Sequence, residues 1–170
     1  MSPRLLLAFL AALVLSGCAG YRLGPANGMA AGEKSIQIRP FANATLEPRL
    51  TDAVTAQLRR EIQRDGTFRL ASQDDGDIVV TGKITRYKRR EISIATADNL
   101  TPEDFQVTLT VQVTARERSS GKVLLDNKLV TGSAILRIGT DLTDAERLAL
   151  PILTGDLARN VTALLVDGSW

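Results

Sequence analysis

Val107-Thr108-Leu109-Thr110-Val111-Gln112-Val113-Thr114-Ala115-Arg116 alternates small polar and apolar side chains without a break until its terminal arginine. Successive side chains of a strand point to opposite sides, so this period of two predicts a β-strand with one core face and one wet face. Ser119-Ser120-Gly121-Lys122 is a tight connection into Val123–Gly132, and the two segments read as an antiparallel hairpin. Upstream, Ile78, Val80 and Ile84 fall on one face of a further strand, with Val79, Thr81, Lys83 and Tyr87 on the other. The middle of the chain is therefore a meander of three strands.

Helical periodicity flanks it on both sides. Leu50, Val54, Leu58 and Ile62 recur every four residues, while Arg59, Arg60, Glu61 and Arg64 occupy other faces. Pro48 suits the first turn of this helix, where its missing N–H costs nothing, and Gly66 suits the position just past its end. After the meander, Thr143-Asp144-Ala145-Glu146 matches a capping box, and Leu153, Leu157, Val161, Leu164 and Leu165 continue an apolar stripe. Pro151 predicts a kink or a restart within that stripe. Before the first helix, Ile36 and Ile38 alternate with Ser35, Gln37 and Arg39 up to Pro40-Phe41, the pattern of a short strand stopped by proline. Asn43-Ala44-Thr45 then forms a turn. Phe68–Ala71 is extended enough to pair briefly, and the acidic stretch Gln73–Asp77 reads as a solvated loop. The expected fold class is α+β, with two helices packed on one face of a four-stranded mixed sheet in the order β-α-β-β-β-α.

The start of the chain carries a different signal. Arg4, the apolar run Leu5–Leu15 and the small residues before Cys18 form an export signal, and Leu15-Ser16-Gly17-Cys18 resembles a bacterial lipobox. The run is too short to span a bilayer as a mature helix. The resemblance implies that residues 1–17 are removed, that Cys18 is acylated, and that residues 18–33 form the lipidated end and a Gly-, Ala- and Pro-containing tether. Several acyl chains hold a protein on a membrane firmly, so attachment asks nothing of the folded part. Ala19 stands where related inner-membrane lipoproteins often carry aspartate, which implies sorting to the outer membrane. Residues 34–170 are left to form one domain.

Composition narrows the chemistry. The 170 residues contain no histidine and one cysteine, so the common zinc sites and the Cys–His and Ser–His nucleophile arrangements are unavailable. No phosphate-cradling glycine loop occurs. The formal charge of +2 argues against a general nucleic-acid binder. These features point to a non-enzyme without cofactor or metal, and any electrostatic function must be local.

The strongest local charge lies in Lys83, Arg86, Lys88, Arg89 and Arg90, a run with no acid among them. In an extended strand Arg86, Lys88 and Arg90 share one face and Tyr87 and Arg89 the other. Such a run serves equally as a phosphate grip, through bidentate arginine and point-charge lysine, or as a charge-protected strand edge.

The lipobox, the stretch Ile36-Gln37-Ile38-Arg39-Pro40-Phe41-Ala42-Asn43-Ala44-Thr45-Leu46-Glu47-Pro48, the segment Asp77–Ile84 and the helix around Asp156-Leu157-Ala158-Arg159-Asn160 together resemble the LptE family. These are lipopolysaccharide-assembly lipoproteins of the outer membrane. The resemblance implies two helices on a four-stranded sheet, residence within the large β-barrel LptD as a plug, assistance to that barrel's assembly, and contact with lipopolysaccharide on its way to the outer leaflet. It leaves open whether the basic segment touches lipopolysaccharide, whose lipid A and inner core carry phosphates. The alternative resemblance is to the CsgG and LpoB group, which implies a secretion assembly or activation of a cell-wall synthase. A helix between strands within Gln73–Gly132 would favour that group.

Overall fold

The structure, a computed structural model, describes residues 31–94, 102–137 and 142–168. The expectations for residues 1–30, including the signal and Cys18, lie outside the described residues. Among the described residues, six strands and two helices follow one another as β1 (Ser35–Ile38), β2 (Ala42–Asn43), α1 (Leu50–Asp65), β3 (Arg69–Leu70), β4 (Ile78–Ile94), β5 (Pro102–Glu117), β6 (Val123–Arg137) and α2 (Leu142–Asp167).

The class is α+β with two helices and a mixed sheet, but the sheet has six strands rather than four. The two additional strands are two-residue pairings, too short to leave any periodicity. β2 arises because the chain, after the break at Arg39–Phe41, rejoins β4 in parallel through Ala42↔Lys83 and Asn43↔Ile84. β3 is the brief pairing of the Phe68–Ala71 segment, parallel to β1. The resulting order is β3-β1-β4-β5-β6, with β2 beside β4. β4, β5 and β6 form the expected antiparallel meander, and no helix interrupts the described residues between Gln73 and Gly132.

The clearest sequence pattern is also the centre of the core. Val107, Leu109, Val111, Val113 and Ala115 are all buried, while the intervening Thr108, Thr110, Gln112 and Thr114 are only partly covered. Leu50, Val54, Leu58 and Ile62 of α1 and Leu153, Leu157, Val161 and Leu165 of α2 join them in one cluster with Ile36, Ile38, Ile78, Val80 and Ile84. Both helices therefore cover the same sheet face. Gly66 ends α1 in the left-handed conformation, φ 77°, and its N–H bonds the Ile62 carbonyl at 3.2 Å. The helix begins at Leu50, after Arg49, so Pro48 precedes the first turn instead of sitting in it. Helix α2 runs unbroken through Pro151, so it does not restart there. Packing on the sheet holds the turn that loses a backbone bond to the proline. α2 starts at Leu142, one residue before Thr143, and the Glu146 carboxylate is engaged by Arg89 of β4; the capping-box expectation rests on the Thr143 side chain, which lies outside the described residues.

The acidic loop is solvated as expected, with Gln73, Asp74, Asp75 and Asp77 exposed, and it is also tied down by hydrogen bonds. The Asp77 carboxylate accepts hydrogen bonds from the Ser35 N–H at 2.8 Å and the Ser35 hydroxyl at 2.7 Å, while the Asp77 N–H donates to that hydroxyl oxygen at 2.9 Å. Gln37, buried on β1, donates to Asp74 and accepts from Arg118, whose Nε also donates to the Gly76 carbonyl. This network ties the β3–β4 loop to β1 and to the β5–β6 turn. At the other end of the described N-terminal segment, the Gly32 N–H already bonds the Thr67 carbonyl at 3.0 Å.

Candidate functional site

With both helices on one side, the opposite face of β4, β5 and β6 carries neither helix. Its character is set by a register shift between Ile84 and Arg86, where Thr85 is the extra residue against β5. Before the shift, even-numbered residues of β4 face the helices; after it, odd-numbered residues do. Strict alternation would separate Lys83 from Arg86. The bulge reunites them, and Lys83, Arg86, Lys88 and Arg90 all lie on the open face, opposite Gln112, Thr110, Thr108 and Gln106 of β5. The same shift turns Tyr87 toward the helices, where it is half-buried, which corrects its expected placement on the wet face with Lys83.

Arg89 is separated from the other four cations. It points to the helix side, pairs with Glu146 of α2, and its guanidinium carbon lies 5.8 Å from the centroid of the Phe105 ring. Its structural partners account for it. Among the described residues, the side chains of the remaining four make no ion pair and no hydrogen bond. β5 and β6 extend this face with Thr131 and Ser133, flanked by Leu129 and Ile135, which are 68% and 66% exposed. The face thus grades from a cationic row, through hydroxyl and amide groups, to two exposed aliphatic side chains. This arrangement can hold phosphates by charge and donors, and sugar hydroxyls by the threonine and glutamine row. No group of acidic or thiol side chains able to hold a metal occurs among the described residues.

Two clefts adjoin the bulge. One, of about 410 Å³, lies between the start of α1 and the first turns of α2 and is lined by Pro48, Leu50, Tyr87 and Leu150 with Glu47 and Glu146. Burial first, then the Glu146 and Glu47 carboxylates, push the Tyr87 hydroxyl above its ordinary range. The other, of about 350 Å³, includes Leu46, Thr85 and Arg86. Between them the β2–α1 loop is held by Asn43, whose side-chain amide donates to the Glu47 carbonyl at 2.6 Å and whose oxygen accepts from the Thr45 N–H at 2.9 Å. Sequence reasoning placed this turn and missed both clefts, because each is built from residues of separate elements.

Comparison with known proteins is consistent across most of this structure. Residues 33–165 match the family model LptE, described as lipopolysaccharide-assembly. No curated protein matches the sequence. The fold is similar to a protein from Xanthomonas campestris (TM-score 0.59, 13% identity, 86% of this chain and 92% of that one). It is also similar to a hypothetical protein from Chlamydia trachomatis (TM-score 0.58, 11% identity, 82% and 98%) and to a minor lipoprotein from Acinetobacter baumannii (TM-score 0.53, 18% identity, 79% and 93%). At these identities the likeness shows the shared fold.

Proposed function

Since the chain belongs to the LptE family of lipopolysaccharide-assembly lipoproteins, we propose that it is anchored to the outer membrane through Cys18 and associates with an LptD-type β-barrel. In this reading it assists assembly of that barrel and insertion of lipopolysaccharide into the outer leaflet. The family match over residues 33–165 carries the proposal, because it spans every strand, all of α1 and all but the last two residues of α2. The meander without an intervening helix in the described part of Gln73–Gly132 favours this family over the CsgG and LpoB group.

The signal in residues 1–17 and the lipid on Cys18 belong to the same reading, with residues 18–33 as tether and 34–170 as the working domain. The family is non-catalytic, and we read this chain likewise as a binding and assembly protein without cofactor. Lys83, Arg86, Lys88 and Arg90 are the proposed lipopolysaccharide contacts on the open sheet face. Arg89 leaves that set, since Glu146 already neutralises it.

Affinity purification of the full-length protein from membranes tests the partner. A large β-barrel should copurify in equal amount. Its absence, with the protein folded and membrane-bound, would refute the barrel association.

A further inference from the structure

β4 extends well beyond its neighbours on one side. β1 and β2 cover that edge only as far as Ile84, whose carbonyl accepts a 3.0 Å bond from the Ala44 N–H. This bond shows that the backbone groups of Ile84 turn away from β5. Antiparallel residues alternate between facing their partner strand and facing away. Beyond the bulge the register continues as Arg86↔Thr110, Tyr87↔Leu109 and Arg89↔Val107. Tyr87, Arg89 and Glu91 therefore direct their N–H and C=O groups at the uncovered edge, where no backbone partner meets them among the described residues. The far edge of the sheet differs: side chains of α2 occupy outward groups of β6, Asp156 the Ser133 N–H and Asn160 the Thr131 carbonyl.

The uncovered edge is also flanked by shaped surface. Tyr87 lines both clefts, the one toward the helices with Pro48, Leu50 and Leu150 and the other with Thr85 and Arg86. Leu46, fully exposed, stands on the pinned loop between them. A strand laid along β4 would send alternate side chains toward the apolar helix-side cleft and toward the open face beside Arg86, Lys88 and Arg90.

We propose that the edge of β4 from Tyr87 to Glu91 accepts an added strand from a polypeptide partner whose residues alternate apolar and acidic. The backbone supplies the affinity, and the cleft and the cationic row supply the sequence preference. A second copy of this chain does not fit. Pairing two such edges antiparallel sets their cationic rows side by side, and opposed like charges destabilise a sheet. The inference does not rest on the lipopolysaccharide reading: phosphates would lie over the sheet face, whereas the added strand lies in its plane.

A short blocked peptide alternating leucine and glutamate, titrated against the full-length protein in detergent, tests this. The peptide should slow amide hydrogen exchange at Tyr87, Arg89 and Glu91. Arg89→Pro, which deletes one outward N–H without touching the β5 ladder, should weaken binding by roughly tenfold, and Arg89→Ala, which keeps it, should not. A peptide with lysine in place of glutamate should bind more weakly. Unchanged exchange at those three amides, or equal effects of the proline and alanine variants, would overturn the proposal. So would lipopolysaccharide displacing the peptide with no protection of the edge, which would reduce the peptide to an anion on the open face. If Arg89→Pro does not fold, exchange on the unaltered protein decides alone.

Discussion

The Asp156 carboxylate of α2 accepts a 2.9 Å hydrogen bond from the backbone N–H of Ser133 on the outer edge of β6. Four residues along the helix, the Asn160 side-chain amide donates to the neighbouring outward carbonyl of Thr131 at 2.8 Å. A helix thereby closes a strand edge with its side chains. Exposed edges otherwise invite pairing between molecules.

Replacing Asp156 and Asn160 together with alanine should lower stability by about 1–3 kcal/mol, since two backbone groups lose their partners to solvent. The reopened edge should also promote association. Thermal melts and size-exclusion chromatography at rising concentration check both effects.

Gly132→Ala should cost about 1–3 kcal/mol through overpacking. A Cβ there would sit 2.6 Å from the Leu157 backbone nitrogen and Cβ, so α2 would have to move off β6. Denaturant unfolding measures the loss, and weaker protection of the Ser133 amide in hydrogen exchange would show the displacement.

Acid should weaken the clamp between the β3–β4 loop and β1. The Ser35 N–H and hydroxyl hold the Asp77 carboxyl below its ordinary range. A carboxylate depressed in the folded state stabilises above its unfolded pKa, and that contribution is lost as pH falls through the folded value. The loss should therefore develop below about pH 4. Asp77→Asn should be less stable than the parent at pH 7, and the difference should shrink in melts at low pH.

Charge reversal of Arg86, Lys88 and Arg90 to glutamate should weaken lipopolysaccharide binding by at least about tenfold while leaving the melt nearly unchanged. Binding by the parent should fall with salt, since exposed charges are screened over about 10 Å at 0.1 M. Arg89→Ala should do the reverse, costing stability through Glu146 and Phe105 and leaving binding intact. Equal binding by the triple variant and the parent would remove the ligand role of the row.

Cys18→Ala should abolish incorporation of labelled palmitate, because no second cysteine can accept the acyl group. Label persisting on the variant would overturn the anchor.

The basic segment shows where reading the sequence stopped. Alternation correctly placed Arg86, Lys88 and Arg90 together and Arg89 opposite them, because the period of two is a property of the strand itself. It could not bring Lys83 to the same face, nor turn Tyr87 inward. Those depend on Thr85 being extra against Thr110, a mismatch between strands that neither strand displays alone. The strand count failed for the same reason: two-residue pairings such as Ala42–Asn43 are made by the neighbour they find.

What this chain determines by itself is whatever its periodicity encodes. The buried row Val107 to Ala115, the stripes Leu50 to Ile62 and Leu153 to Leu165, and the Gly66 helix end are fixed by local geometry and the removal of apolar surface from water. Tertiary structure alone decided which backbone groups remain unpaired, which cations remain unneutralised, and where the clefts open. Pairing and neutralisation are relations between residues distant in sequence, as Asp156 is from Ser133 and Glu146 from Arg89. They acquire an energy only when the fold brings both partners together.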